Sequence, residues 1–311
     1  MQDFVLVHTP DYGNWSLGTT HPTQGRRYIN AFNLLMQTAK DENYTFDIVE
    51  PRRASFSELL EVHDLQHVVS VDDGFSDEWS DQNPVLGDLA FRLAGGTINA
   101  MDELVAKRTL TAINFTGAKH HAQESYSSGF CVFADFALTA NILTEFGYRV
   151  AILDIDAHHG DGTENLTLMN EMVLTFSIHE WGIFPLTGDK DYPEFSAYNE
   201  PLSQYAGDRE LFDGVNRFIK LAKQFGADFI LIAGGADGHV TDPLSSLMYT
   251  LNGVHHATSL VRFAFPDTPI LFGGAGGYQP DTNTPLMWLN MVKGLISPVT
   301  YEEAIDAVLN D

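Results

Sequence analysis

The chain of 311 residues holds one cysteine, Cys131. A disulfide within the chain is excluded, and so is a cysteine-rich zinc site, so any metal must be held by histidine and carboxylate. Positive charge is scarce as well: 17 Lys and Arg stand against 42 Asp and Glu, a net charge of −25. Phosphate affinity needs clustered Lys and Arg, which excludes a nucleic-acid partner, and the same sign repels an anionic membrane. Cationic substrates, a halotolerant host or plain solubility are all compatible with such an acidic surface. No apolar run approaches the ~20 residues that cross a bilayer. Met1 to Pro10 lacks a basic region followed by a long apolar stretch, so no signal peptide is expected. These absences predict a soluble, cytoplasmic protein in a reducing compartment.

Apolar material is plentiful, at 44% hydrophobic and 12% aromatic residues. That is enough to build a large core and excludes a disordered chain. Continuous apolar runs at Phe4–His8, Thr111–Phe115, Val150–Ile155, Val173–Ile178, Phe229–Ala233 and Ile270–Phe272 read as strands covered on both faces. Helical patterns alternate with them at about Arg26–Ala39, Gly87–Ala106, Phe133–Phe146, Arg209–Phe225, Leu244–Phe263 and Tyr301–Leu309. The alternation predicts an α/β fold, a single domain over residues 1–311 with a mostly parallel central sheet flanked by helices. Two segments, Asp72–Pro84 and Leu186–Asp208, read as long loops.

Four segments carry chemistry. In Ala151–Gly162 (AILDIDAHHGDG) a buried strand runs straight into Asp154, Asp156, His158, His159 and Asp161. So many carboxylates and imidazoles at a strand end call for a divalent cation, and side chains two apart on a strand share a face, so Asp156 and His158 can converge. In GADGH, Gly235–His239, Asp237 emerges just past another apolar strand, where ligands of open parallel sheets sit. Two carboxylates and one imidazole leave the open fourth position of a catalytic zinc. In GAKHHAQESYSSGF, Gly117–Phe130, His120 and His121 are candidate acid and base. The pair His255–His256 lies inside a helical pattern and reads as packing or surface. In LFGGAGGYQP, Leu271–Pro280, glycines allow close backbone approach and Tyr278 can donate to developing negative charge. The spacing there is not that of a dinucleotide loop.

Taken in order, KHHAQESYSSGFC, DIDAHHGDGTEN, SIHEWGIFPLTGD, GGADGHVTDPL and GGAGGY resemble the zinc-dependent histone deacetylase family and its bacterial relatives, the acetylpolyamine amidohydrolases and acetoin-utilisation-type proteins. The likeness runs from about His21–Pro22 to Tyr278. It implies an arginase/deacetylase-like fold and a metal-dependent amidohydrolase that removes acetyl or short acyl groups from lysine side chains, with small acetylated amines as the alternative substrate. It implies Asp156, His158 and Asp237 as ligands of Zn2+ (Fe2+ in the alternative), and His120 and His121 as the tandem catalytic histidines. Asp154 and Asp161 match the aspartates that orient them. Tyr278 matches the tyrosine that polarises the scissile carbonyl. Gly129, Phe130, Phe184 and Leu244 match the substrate channel, and Asp154 with Ser177 matches part of a structural potassium site.

The match is looser at the substrate rim. A rim aspartate would fall near Asp81 and Gln82. Leu244 stands where polyamine-selective members carry an acidic residue, which looks lysine-directed. Arg27 resembles an arginine near an internal acetate-release cavity, with a helix-surface cation as the competing reading. His8, His63 and His67 read as core or surface residues, His21 is given no role, and His239 reads as a rim residue. A di-manganese ureohydrolase on the same fold needs Asp-x-Asp after the later strand, whereas this chain has Asp237-Gly238-His239. The oligomeric state is not legible.

Overall fold

The apolar runs are strands in the computed structural model, which describes residues 1–300 together with Glu302 and Glu303. In chain order the elements are β1 (Phe4–Val7), α1 (Arg26–Glu42), β2 (Phe46–Val49), α2 (Phe56–Leu59), α3 (Leu65–Asp72), α4 (Pro84–Val105), β3 (Thr111–Asn114), α5 (Asp135–Glu145) and β4 (Val150–Asp154). There follow α6 (Asp161–Thr167), β5 (Val173–Glu180), β6 (Ala197–Leu202), α7 (Asp208–Phe225), β7 (Phe229–Ala233), α8 (Leu251–Ala264), β8 (Ile270–Gly273) and α9 (Asn283–Ile296). The strands form one sheet in the order β2-β1-β3-β8-β7-β4-β5-β6. Every pairing is parallel.

All six expected strands are present within two residues of their expected ends. The two that the sequence reading missed, β2 and β6, are the edges of the sheet. Their faces are partly exposed and β6 contains Pro201, so neither shows an unbroken apolar run. The segment expected as a loop at Leu186–Asp208 therefore contains a strand.

Helix limits follow local chemistry. Helix α4 begins at Pro84 because Asn83 Oδ1 accepts the Leu86 N–H and proline suits the first helical position. The expected helix Leu244–Phe263 starts later, at Leu251. Leu244 instead lies in a turn, and Met248 N–H is bonded to Ala206 O and Tyr249 N–H to Gly238 O. Thr250 then caps α8 by accepting the Gly253 N–H. Helix α9 was not expected, because Pro285 and Gly294 interrupt its pattern. Its Trp288 is fully buried, stacked between Tyr28 and Phe115, and donates its indole N–H to Gly234 O. Apart from Glu302 and Glu303, the expected helix Tyr301–Leu309 lies outside the described residues.

Strands β3, β8, β7 and β4 are consecutive in the sheet. Each of the four motif segments leaves the carboxyl end of one of them. Parallel pairing thus brings together, at one edge, segments as far apart in sequence as Gly117–Phe130 and Leu271–Pro280.

Candidate metal centre and active site

Past the end of β4 the chain folds back on its own carboxylates. Asp156 N–H donates to Asp154 Oδ1 at 3.0 Å, and His158 N–H donates to Asp156 Oδ1 at 2.9 Å. Each aspartate fixes the residue two places on, the usual local habit of Asx side chains. Asp156 and His158 thus lie beyond the last strand residue, held by turns rather than by strand alternation. After β7, Asp237 reaches across to accept the Ala157 N–H at 3.0 Å.

Donor atoms of Asp156, His158 and Asp237 all lie within 4.8 Å of one another. His158 Nδ1 is 3.1 Å from Asp156 Oδ1 and 2.9 Å from Asp237 Oδ2. Both carboxylates are fully buried. Burial and the neighbouring Asp156 charge push Asp237 up to about 6, because enclosing two carboxylates this close disfavours the second charge. The surrounding backbone is shaped for the pair. Gly276 N–H donates to Asp156 Oδ2 at 2.7 Å, and a Cβ on Gly276 would lie 2.4 Å from Asp237 Oδ2. Two oxygen donors and one imidazole nitrogen in a cradle that excludes side chains fit a zinc-type ion with an open position.

The tandem histidines face this group, each on its own carboxylate. His120 Nδ1 lies 2.7 Å from Asp154 Oδ2, and its Nε2 is 3.7 Å from Asp156 Oδ1. His121 Nδ1 lies 2.7 Å from Asp161 Oδ1. The two rings are 4.0 Å apart, yet their environments separate them. Burial works to lower His120, but Asp154 and Asp156 outweigh it and raise its pKa to about 9. Burial, with the neighbouring His120 charge, lowers His121 to about 4.

The residues expected to line a channel lie near His121, Tyr278 and Asp242. The Phe184 ring, half exposed, meets His121 edge-on at 4.9 Å. Phe130 meets Tyr278 edge-on at 5.9 Å. Gly129 has φ +55°, and a Cβ there would lie 2.4 Å from the His121 ring. Enclosure and the Asp237 and Asp156 charges raise Tyr278 well above the ordinary phenol value, so it keeps its proton. Leu244 is half-buried and donates its N–H to Asp242 Oδ1, while Asp242 Oδ2 accepts the Tyr278 N–H at 2.8 Å. Asp154 and Ser177 are register partners across β4 and β5, and Ser177 Oγ lies 3.0 Å from His179 Nδ1.

Arg27 is buried, which overturns the helix-surface reading. It donates to Gly277 O at 2.7 Å and to the Tyr28 hydroxyl at 2.8 Å, while its Nε has no partner. His8, His63 and His67 are buried core residues, as expected, and Trp181 is half exposed. His239 bonds Thr241 Oγ1, and His21 meets the Phe130 ring at 4.6 Å. In the loop 72–84, Asp77 accepts the Ser127 N–H at 3.2 Å. Asp81 is exposed, with its carboxylate bonded to Ser80.

Three residues near the site escaped the sequence reading. Buried Asp135, at the start of α5, accepts the Ala118 and Lys119 N–H groups and so holds the turn before His120, where Ala118 has φ +63°. Lys119 is buried with its Nζ 3.3 Å from the Tyr28 hydroxyl. Asp242 fixes the Tyr278 backbone. All three act through backbone amides or a buried phenol, and no spacing rule marks such partners.

Known proteins resemble the chain over most of its length. The family described as Histone deacetylase domain matches residues 21–295. The chain is similar to acetoin utilization protein AcuC of Staphylococcus aureus (strain MSSA476), 31% identical over 275 residues, covering 80% of this chain and 71% of that protein. It is similar to AcuC of Bacillus subtilis (strain 168), 32% identical over 317 residues, covering 93% and 81%. Among solved structures, the HD domain of HDA15 superposes with a TM-score of 0.84 at 21% identity, covering 100% of this chain and 94% of that one. That likeness bears on the fold.

Proposed function

The chain belongs to the histone deacetylase family and is an amide-hydrolysing deacetylase; from that premise we propose that it removes acetyl or short acyl groups from lysine side chains with zinc at Asp156, His158 and Asp237. The observation that carries this reading is the convergence of those three donors beside two histidines, each bonded to its own aspartate at 2.7 Å. When bound, the ion would supply Lewis acidity, polarising the amide carbonyl and lowering the pKa of a water from 15.7 toward ~7.

The protein's own groups do the rest. His121 is neutral near pH 7, and Asp161 accepts its Nδ1–H, which leaves the lone pair on Nε2 to take the proton of the attacking water. His120, held cationic by Asp154 and Asp156, offsets negative charge as the carbonyl becomes tetrahedral. The Tyr278 hydroxyl, fully protonated, donates to the same oxygen. A protonated histidine then gives its proton to the leaving amine, and a carboxylate and a free amine depart. Phe130, Phe184 and Gly129 wall the acyl-lysine stem and exclude water. Leu244 leaves the mouth without the acidic side chain that would select a polyamine. Asp154 and Ser177 are the proposed holders of a structural potassium ion.

A substrate panel tests the reading. The zinc-loaded protein should turn over a fluorogenic acetyl-lysine peptide faster than acetylputrescine or acetylcadaverine. Faster turnover of the acetylated diamines would replace lysine by polyamine as the substrate, and no turnover of either class would overturn both readings.

A further inference from the structure

Away from the channel, a groove of about 820 Å3 opens where the segment Leu60–Leu65 faces the ends of α5 and α6. Three apolar side chains stand in it exposed to solvent: Leu60 at 43%, Leu65 at 58% and Met169 at 82%. Five carboxylates line it, from Glu61, Asp64, Glu124, Glu145 and Glu171, and no Lys or Arg does. Among the described residues none of the five side chains is engaged in a hydrogen bond or an ion pair. A second groove, of about 410 Å3, shares Asp64 and adds His67, Asp77 and Ser125, again without a Lys or Arg. Glu124 lines the first groove and the next residue, Ser125, the second. The same stretch continues through Ser127, bonded to Asp77, into Gly129 and Phe130 of the channel wall. The chain segment that contributes to both grooves thus leads on into the proposed channel wall.

The charge pattern selects the occupant. A second copy of this chain, a nucleic acid or an anionic membrane would bring like charge to unpaired carboxylates. A small cation has no use for three exposed apolar side chains. We propose that the groove docks a cationic polypeptide carrying apolar side chains, namely the stretch of substrate that flanks the acyl-lysine. This deepens the lysine-directed reading above and rests on it. Lysine and arginine of the bound stretch would pair with the five carboxylates, and its apolar residues would cover Leu60, Leu65 and Met169.

Binding can be read without catalysis, so failure of the docking site is separable from failure of the deacylase reading. The probe is a fluorescein-labelled, non-acylated peptide of lysine and leucine at helical spacing, followed by anisotropy with the full-length protein. Glu145→Lys/Glu171→Lys should weaken binding about tenfold or more at low salt, with a smaller ratio at high salt. The independent variant Met169→Ala should weaken it several-fold at any salt. With the peptide acetylated on one lysine, both variants should raise KM while kcat holds, and an acetyl-lysine amide should show unchanged KM. Equal affinity for wild type and the double variant would overturn the proposal. Displacement by spermine together with indifference to Met169→Ala would overturn it too, reducing the groove to counterion attraction. So would self-association in sedimentation that Met169→Ala abolishes, because the occupant would then be a second copy.

Discussion

Each proposed catalytic side chain is tied down by a second group, and that determines what its removal should do. Tyr278 is fixed through its backbone by Asp242, and its hydroxyl is proposed to contact only the developing oxyanion. Tyr278→Phe should therefore lower kcat about 10²–10³-fold with KM and metal content little changed. Single-turnover assays and metal analysis check this, and a variant retaining the wild-type rate would remove the tyrosine from the mechanism. Asp161→Asn exchanges the acceptor on His121 for an amide that can present either end. It should cost about tenfold or more in kcat and distort the pH–rate profile, while leaving the zinc content intact. At this scale the sequence was informative wherever chemistry is contiguous: Asp154, Asp156, His158 and Asp161 are clustered on one strand end. It was silent on Asp135 and Lys119, whose work is done through amides and a phenol supplied by remote segments. Nor could it show that Asp77 meets Ser127, a contact that only the folded loop makes.

Elements were legible in proportion to their burial. Strands covered on both faces announce themselves as apolar runs, whereas β2 and β6 lie at the edges and carry polar or proline residues. Helix starts depend on single caps, which is why α8 begins at Leu251, after its Thr250 cap, rather than at Leu244 where the apolar pattern starts. Such a cap also makes a prediction at α2. Ser55 and Glu58 form a reciprocal capping box, and Glu58 additionally holds Arg52 at 2.9 Å. Partial burial acts to raise Glu58, but the bonds from Arg52 and Ser55 outweigh it and lower the pKa from 4.5 to about 2. A carboxylate with a depressed folded pKa stabilises above its unfolded value and loses that contribution as pH falls through the folded one. The pair is partly exposed, so solvent screening limits it to about 1 kcal/mol. Glu58→Gln should thus be less stable by about that amount near pH 7 in urea unfolding, and the gap should narrow below pH ~4.5 toward nothing near pH 2. A gap that stays constant down to pH ~3 would mean that shape, not charge, sets the cost.

For the molecule as a whole, two electrostatic effects act in opposition. At the centre, two buried carboxylates need a cation, so bound metal should stabilise by mass action: about 2.7 kcal/mol when free metal is a hundred times its Kd. Zinc should raise Tm by several degrees in the chelator-stripped protein and not in Asp237→Asn, followed by differential scanning fluorimetry. At the surface, a net charge of −25 repels itself, and the few basic residues cannot neutralise it. Salt screens that repulsion over a Debye length of ~10 Å at 0.1 M. Raising sodium chloride from ~0.01 to ~0.5 M should therefore increase Tm, with the steepest rise at the low end. The same screening weakens the attraction between an acidic surface and a cationic acetyl-lysine peptide, so KM for that peptide should rise over the same range while kcat stays level. A neutral acetyl-lysine amide should show a flat KM. Stability and substrate capture then move in opposite directions with salt because one surface field drives both, whereas a fall in Tm on adding salt would place the dominant electrostatics in attractive ion pairs instead of self-repulsion.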